Sequence, residues 1–222
     1  MRAVRLHTCL GIAVAALLLP FVPAAQAKQA KLPACTARGP TLKVSTPRIR
    51  VFKVHSKLYS CWRPTHRVTL LYPAKPSDHG RLSTVARPVV VGHYVGFATT
   101  QFFDPDGQFD QVFSVNVRFG QFAHRVTPRL DAFGDTIVSA FVMDDRGSLA
   151  FIQTLGPGGG GGPCPKGDGI GQAVIAVDRA GTRRLDCESG DEPPGQGIAN
   201  LTLAGHVVSW QHRGTTASAT LR

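Results

Sequence analysis

The sequence predicts an all-β fold of antiparallel hairpin repeats, and three observations predict it. Past residue 27 no segment sustains a helical period, and only two acids, Glu188 and Glu192, are glutamates. The 24 glycines and 16 prolines are frequent punctuation between short apolar runs. One hairpin is also written more than once. Residues 198–210 read as a strand, a tight turn at Ala204-Gly205 and a second strand ending on Trp210. In residues 89–97, Gly92-His93-Tyr94-Val95-Gly96-Phe97 matches Gly205-His206-Val207-Val208-Ser209-Trp210, and residues 145–151 are a looser copy.

The first 27 residues stand apart. Arg2 and Arg5 precede the apolar run 10–19, and Ala25-Gln26-Ala27 is a small-x-small cleavage site, the pattern of a secretory signal peptide. A membrane span needs ~20 apolar residues, and Pro20 and Pro23 interrupt this run. Cys9 lies ahead of the apolar run, so no lipid anchor is expected on it. Residues 28–222 are expected to form a single secreted all-β domain with no membrane span. Four cysteines remain there: Cys35, Cys61, Cys164 and Cys187. An even number in an exported chain predicts two disulfides with three possible connectivities. Proximity in sequence favours Cys35 with Cys61 and Cys164 with Cys187, each link contributing roughly 3 kcal/mol. A four-thiolate zinc site lacks its usual Cys-x-x-Cys pairs.

Taken in order, residues 28–46 read as a polar, extended lead-in. Residues 48–55 read as a strand that changes phase, with Ile49 and Val51 apolar at odd positions and Phe52 and Val54 at even ones. Such a switch predicts a bulge or a crossing between faces. Residues 58–62 and 68–72 are two more strands, and Cys61 in the first of them is placed to tie back to the lead-in. A loop covers 73–81, a hairpin 89–101, and a turn 103–109. Residues 111–119 alternate, with Phe113, Val115, Val117 and Phe119 on one face and Ser114, Asn116 and Arg118 on the other, as in a half-buried strand. Gly120-Gln121 turns it into 122–126. Residues 136–143 are apolar on both faces, as in a central strand. The turn 144–147 leads into 148–154. Five glycines, 158–162, lack the Lys-Ser/Thr ending of a phosphate loop and read as a surface excursion. Residues 173–178 and 182–185 flank Arg179-Ala180-Gly181 as a hairpin, 186–197 is an acidic connector, and the last strand alternates Ala217, Ala219 and Leu221 with Ser218 and Thr220.

The anchors Gly92, Gly147 and Gly205 recur at intervals a little longer than the ~40–50 residues of a propeller blade. Asp145-Arg146-Gly147-Ser148-Leu149-Ala150-Phe151 resembles the Asp-Gly…Ile-Ala-Phe hairpin of WD40-like repeats in TolB-type β-propeller proteins. Residues 173–185, ending Arg183-Arg184-Leu185, are similar to the second half of that repeat. Residues 89–126 and 198–221 match more loosely, without the Asp-Gly turn. The resemblance implies radial β-sheet blades and a binding role, and it brings no catalytic residue. Closed propellers have ~4–8 blades. Three clear units and one weaker one predict an incomplete, propeller-like arrangement of three or four blades, with a β-sandwich of the same hairpins as the alternative.

Asp104, Asp106 and Asp110, with Gly107 between them, form the one metal-like cluster in the sequence, and its chemistry is that of calcium. Phe102 stands where a calcium loop usually begins with another Asp, and no Glu closes it, so a plain polar turn is the stronger expectation. His55, His66, His79, His93, His124, His206 and His212 remain after the leader. His93 and His206 occupy equivalent repeat positions, which favours a turn role, and neither is expected to have a nearby acid that would suggest a triad. No Gly-x-Ser-x-Gly or His-Glu-x-x-His occurs.

Against 14 acids stand 25 Lys and Arg residues, a formal net charge of +11. They are spread through Arg48, Arg50, Lys53, Lys57, Arg118, Arg125, Arg129, Arg183 and Arg184. A solvated surface explains such a spread, and attraction to a protein or an anionic cell-envelope polymer is the functional version. Nucleic acid is disfavoured by export and by the lack of a reading motif. The functional expectation is a secreted, disulfide-stabilised all-β binding or scaffolding module with no identifiable catalytic site, its recognition loops at 103–109 and 156–164. The alternative is an extracellular hydrolase acting on carbohydrate.

Overall fold

Four successive meanders account for every strand of the described residues. The first comprises β1 (Ile49–Val54), β2 (Lys57–Trp62) and β3 (Arg67–Tyr72). The second is β4 (Val89–Val91), β5 (Tyr94–Phe103), β6 (Gly107–Asn116) and β7 (Gln121–Val126). The third is β8 (Thr136–Met143), β9 (Leu149–Leu155), β10 (Gly171–Asp178) and β11 (Gly181–Ser189), and the fourth is β12 (Ala199–Ala204), β13 (Val207–His212) and β14 (Thr215–Thr220). The computed structural model describes residues 32–42, 44–54, 57–72, 88–103, 107–126, 136–155, 171–189 and 197–222. The expected signal peptide at 1–27, Cys164 and the five-glycine run lie outside them. Residues 32–222 form one compact unit. No helix among the described residues is long and apolar enough to cross a membrane.

The first and fourth meanders are separate three-stranded sheets, and none of the sheets closes on itself. The second and third share one sheet of order β11-β10-β9-β8-β6-β5-β4, with β7 also on β6. They join through one parallel pair, Phe109 with Thr136, whereas every other strand pairing is antiparallel. The all-β expectation is met. The repeated sequence anchors fall on the first hairpin of three consecutive meanders. Gly92 lies between β4 and β5, Gly147 between β8 and β9, and Gly205 between β12 and β13.

Apolar clusters fasten each meander to the next. Ile49, Val51, Leu58 and Leu71 pack with Val95, Phe97, Phe113, Val115 and Val117, joining the first to the second. Ala98 and Val112 meet Met143, Leu149, Phe151 and Val177 between the second and third. Ala150, Ile152, Val174 and Ala176 meet Ile198, Val208, Trp210 and Leu221 between the third and fourth. Area removed from water stabilises at ~25 cal/mol per Å2, so these clusters are the main favourable term.

The far face of the first sheet carries Phe52, Tyr59 and Cys61, covered by the lead-in with Cys35 and Ala37. Cys35 and Cys61 are disulfide-bonded, their Cα atoms 5.5 Å apart, as expected. Arg50 clamps the lead-in by donating Nη1 to the Cys35 and Ala37 carbonyls at 2.5 and 3.0 Å and Nη2 to that of Gly39 at 3.1 Å. Cys187 is also disulfide-bonded. Its partner lies outside the described residues, so the expected pairing with Cys164 does too.

Three sequence expectations are corrected. The β1–β2 register runs without a shift from Ile49↔Trp62 to Val54↔Lys57, so there is no bulge there. Ile49, Val51 and Phe52 are all fully buried because both faces of β1 are covered, which is what the phase change records. β6 ends at Asn116, so Phe119 leaves the inward face and is 52% exposed, while Ser114, expected outward, is completely buried. In β8 the apolar residues are not uniformly covered, and Ile137 is 40% exposed.

Candidate functional site

The loops joining strands at one end of the meanders bring together acids and histidines that are far apart in sequence. After β8 the chain reverses through residues 144–148. Asp144 is 2% exposed, and its Oδ1 accepts the backbone N–H groups of Arg146 at 2.9 Å and Ser148 at 2.8 Å. A short acid folded back on its own turn is the usual way an Asp fixes a reversal. Gly147 completes the turn at φ +82°, directly beneath the Tyr94 ring: a Cβ there would stand 2.5 Å from Tyr94 Cδ1 and 2.8 Å from Ser114 Oγ. Gly92, in the β4–β5 turn, has room beside it: a Cβ there would stand 3.7 Å from the Asp145 carbonyl oxygen, an ordinary contact.

The β12–β13 turn lies on this reversal. His206 follows Gly205, at φ +60°, and its carbonyl accepts the N–H of Leu221 at 2.8 Å. Its Nδ1 stands 2.9 Å from Asp144 Oδ2. An ionised carboxylate only accepts, so Nδ1 carries the proton and the lone pair of Nε2 points away. Asp145 Oδ1 lies 3.8 Å from that Nε2. Asp144, Asp145 and His206 thus offer three ligand atoms within 4.8 Å of one another. This corrects the expectation that His206 has no nearby acid. The acid is 62 residues earlier in the chain, and turn-to-turn packing supplies it.

Two more carboxylates hold the fourth meander to the third. Asp178, at the end of β10, accepts the N–H of Ala180 and of Arg222, each at 2.9 Å, and pairs with Arg183. Asp186 in β11 accepts Trp210 Nε1 at 2.5 Å, His212 Nδ1 at 2.9 Å and the Cys187 N–H at 2.7 Å. Burial alone would raise both acids. In Asp178 the bonds from Arg183, Arg222 and Ala180, and in Asp186 those from Trp210, Cys187 and His212, outweigh it and hold each below the ordinary carboxylate value. His124 on β7 is half-buried and lowered by that burial, with the charges of Asp178 and Asp144 opposing the shift. Arg183, one of the spread of basic residues, is therefore a structural partner, as Arg50 is.

A second feature stands on the β6–β7 reversal, residues 117–120. Val117 donates its N–H to the His93 carbonyl at 3.0 Å, Gly120 closes the turn on the Asn116 carbonyl at 2.8 Å, and Arg67 of β3 braces the Phe119 carbonyl at 2.6 Å. On this fixed tip Phe119 and Phe122 are 52% and 50% exposed. Arg118 lies over the Phe119 ring at 5.3 Å and Arg125 over Phe113 at 5.7 Å, while Phe113 packs on Phe122 at 5.8 Å. The hairpin thus presents aromatic faces interleaved with guanidinium groups.

Of the expected calcium cluster, Asp104 and Asp106 lie outside the described residues. Asp110 is 4% exposed within β6, and its Oδ2 accepts the Val138 N–H at 2.7 Å, fixing β8 beside β6. Of the expected recognition loops, residues 104–106 of the first and all of 156–164 lie outside the described residues.

No protein-family model matches the chain. A stretch of 96 residues is 34% identical to part of UDP-N-acetylmuramate--L-alanine ligase of Mycobacterium avium (strain 104), covering 43% of this chain and 18% of that protein. The chain spans less than a fifth of that relative's length, and a match of this extent assigns it to no family.

Proposed function

We propose that the chain is a secreted, disulfide-stabilised all-β binding module of propeller-like build whose β6–β7 hairpin holds an anionic cell-envelope polymer. The observation that carries this reading is the rigid tip with Phe119 and Phe122 half exposed among Arg118, Arg125 and Arg67. Exposed aromatic faces pack against sugar rings, and guanidinium groups pair with carboxylate or phosphate in a fork. The net charge of +11 adds long-range attraction. Four meanders packed in chain order, three of them opening on the same Gly turn, support the propeller-like build. Polygalacturonate, with neutral dextran as control, serves as the probe in a calorimetric titration. Binding to polygalacturonate alone is expected, weakened at least ~10-fold in Phe119→Ala/Phe122→Ala and falling as salt is raised. Equal binding by the double variant, or binding indifferent to salt, counts against the reading.

The second reading, an extracellular hydrolase acting on carbohydrate, draws on one observation. A buried Asp144 fixing the His206 tautomer is the base-orienting part of a hydrolytic site. The side chain facing Nε2 is Asp145 rather than a hydroxyl or thiol. Release of reducing ends from the bound polymer, lost in His206→Gln, would favour it over the binding module.

A further inference from the structure

We propose that His206 Nε2 and Asp145 Oδ1 bind a divalent transition-metal ion of the Zn2+ class, with Asp144 as the positioning carboxylate. The inference stands independently of the polymer-binding reading. Asp144 is held by three hydrogen bonds: Oδ1 takes the Arg146 and Ser148 N–H groups and Oδ2 takes His206 Nδ1. Those bonds fix its carboxylate, and the carboxylate fixes the imidazole. A carboxylate on the far nitrogen of a ligating histidine sets the tautomer and raises the basicity of the near one. The His206 backbone is pinned as well, through its carbonyl and the N–H of Leu221. The Nε2 lone pair is therefore aimed before any ligand arrives.

Asp145 stands beside it. The 3.8 Å between Nε2 and Oδ1 is too long for a hydrogen bond. It suits two donors on one ion, since bonds of ~2.0–2.2 Å each leave them up to ~4 Å apart. Asp145 is 68% exposed, so its carboxylate adjusts without disturbing the fold. One imidazole nitrogen and one carboxylate oxygen favour Zn2+, Ni2+ or Cu2+ over calcium, which takes six to eight oxygens. Water completes the coordination, and the site stays open to solvent.

Zn2+ alone, titrated calorimetrically into the chelator-treated mature protein, tests this. The expected result is one ion per chain, with affinity at least ten-fold weaker in Asp145→Ala and an unchanged melting temperature for that variant without metal. In Asp144→Asn the amide donates to Nδ1, moves the imidazole proton to Nε2 and abolishes binding. In the wild type the His206 Nε2 resonance shifts with Zn2+ while Nδ1–H is retained. Failure of the wild type to bind, or equal binding by Asp145→Ala, overturns the proposal. So does a His206 resonance unmoved at saturation.

Discussion

Asp186→Ala isolates what one half-buried carboxylate contributes to holding the fourth meander in place. The side chain ties β11 to β13 through Trp210 Nε1 and His212 Nδ1, and it also caps the Cys187 N–H. Trp210 is 3% exposed, so its indole N–H has no water to turn to, and an orphaned buried donor costs ~1–3 kcal/mol. His212 and the Cys187 N–H sit where water replaces part of the lost bond, at ~0.5–1.5 kcal/mol each. The total is about 4 kcal/mol, which for a chain of this size lowers the melting temperature by ~8–16 °C. Trp62 and Trp210 are the two tryptophans, so in a Trp62→Phe background Trp210 reports alone. Thermal unfolding of Trp62→Phe with and without Asp186→Ala, followed by fluorescence, gives both the stability and the local environment. Emission is expected to shift to the red as water reaches the indole. A drop below about 2 °C, under ~1 kcal/mol on the same scale, with unchanged emission would refute the assignment of Asp186 as a fastening.

Three other outcomes follow from the same geometry. Replacing Cys35 and Cys61 with serine opens a link of sequence separation 26 and is expected to cost ~3 kcal/mol, read as a shift in the urea midpoint. Gly147→Ala places a Cβ against Tyr94 and Ser114 in a left-handed turn and is expected to cost ~3 kcal/mol. Gly181→Ala, at φ +96° with nothing within 4 Å, costs only ~1–2 kcal/mol of backbone strain, and equal losses at the two sites would contradict this contrast. Stability should also fall with acid in two stages. His124 lies below its ordinary 6.5 in the fold, so the unfolded chain takes up a proton first and stability declines as pH drops through 6.5 toward the folded value. Asp178 and Asp186 lie below their ordinary 3.8, so their contribution is complete above that value and is lost as pH falls through it toward the folded values. Urea midpoints from pH 8 to 3 should show the upper stage removed by His124→Gln and the lower one by Asp178→Asn/Asp186→Asn.

Local pattern made much of the fold legible. Ala217, Ala219 and Leu221 face inward and Ser218 and Thr220 outward as the alternation requires, because the fourth sheet is covered on one side. The hairpin anchors at Gly92, Gly147 and Gly205 are legible for a different reason: each takes a positive φ that glycine adopts without strain. Where both faces of a strand are covered the pattern misleads. Phe52 simulates a bulge because the lead-in covers its side of β1, and Ser114 is buried because the turn carrying Gly147 lies over β6. The candidate sites were less legible still. The bond between His206 and Asp144 spans 62 residues, and no motif spacing encodes it. The repeated turn histidine is the available signal, but repetition by itself points only to architecture. Alternation places Phe119 on the inward face, and only the end of β6 at Asn116 brings it to the surface.

His93 and His206 show why a repeat fixes position without fixing chemistry. Both follow the glycine of a first hairpin, so the backbone carries each to the same place in its own meander. The His93 ring lies 4.4 Å from that of its neighbour Tyr94, and its carbonyl holds the Val117 N–H. His206 has Val207 beside it in sequence and meets the Asp144 carboxylate from the preceding meander instead. The chemistry at each turn is therefore set by what the adjoining meander presents. The third meander presents Asp144, Asp178, Asp186 and Glu188, and each takes a bond from the segment 197–222. Ile198, Val208, Trp210 and Leu221 bury apolar surface against the third meander, and the polar fastenings act beside that contact, whereas the first sheet adds a disulfide to its aromatic packing. A histidine drawn into that acidic edge acquires an oriented nitrogen as a consequence of the fastening, and the exposed Asp145 beside it turns a structural contact into a potential ligand pair.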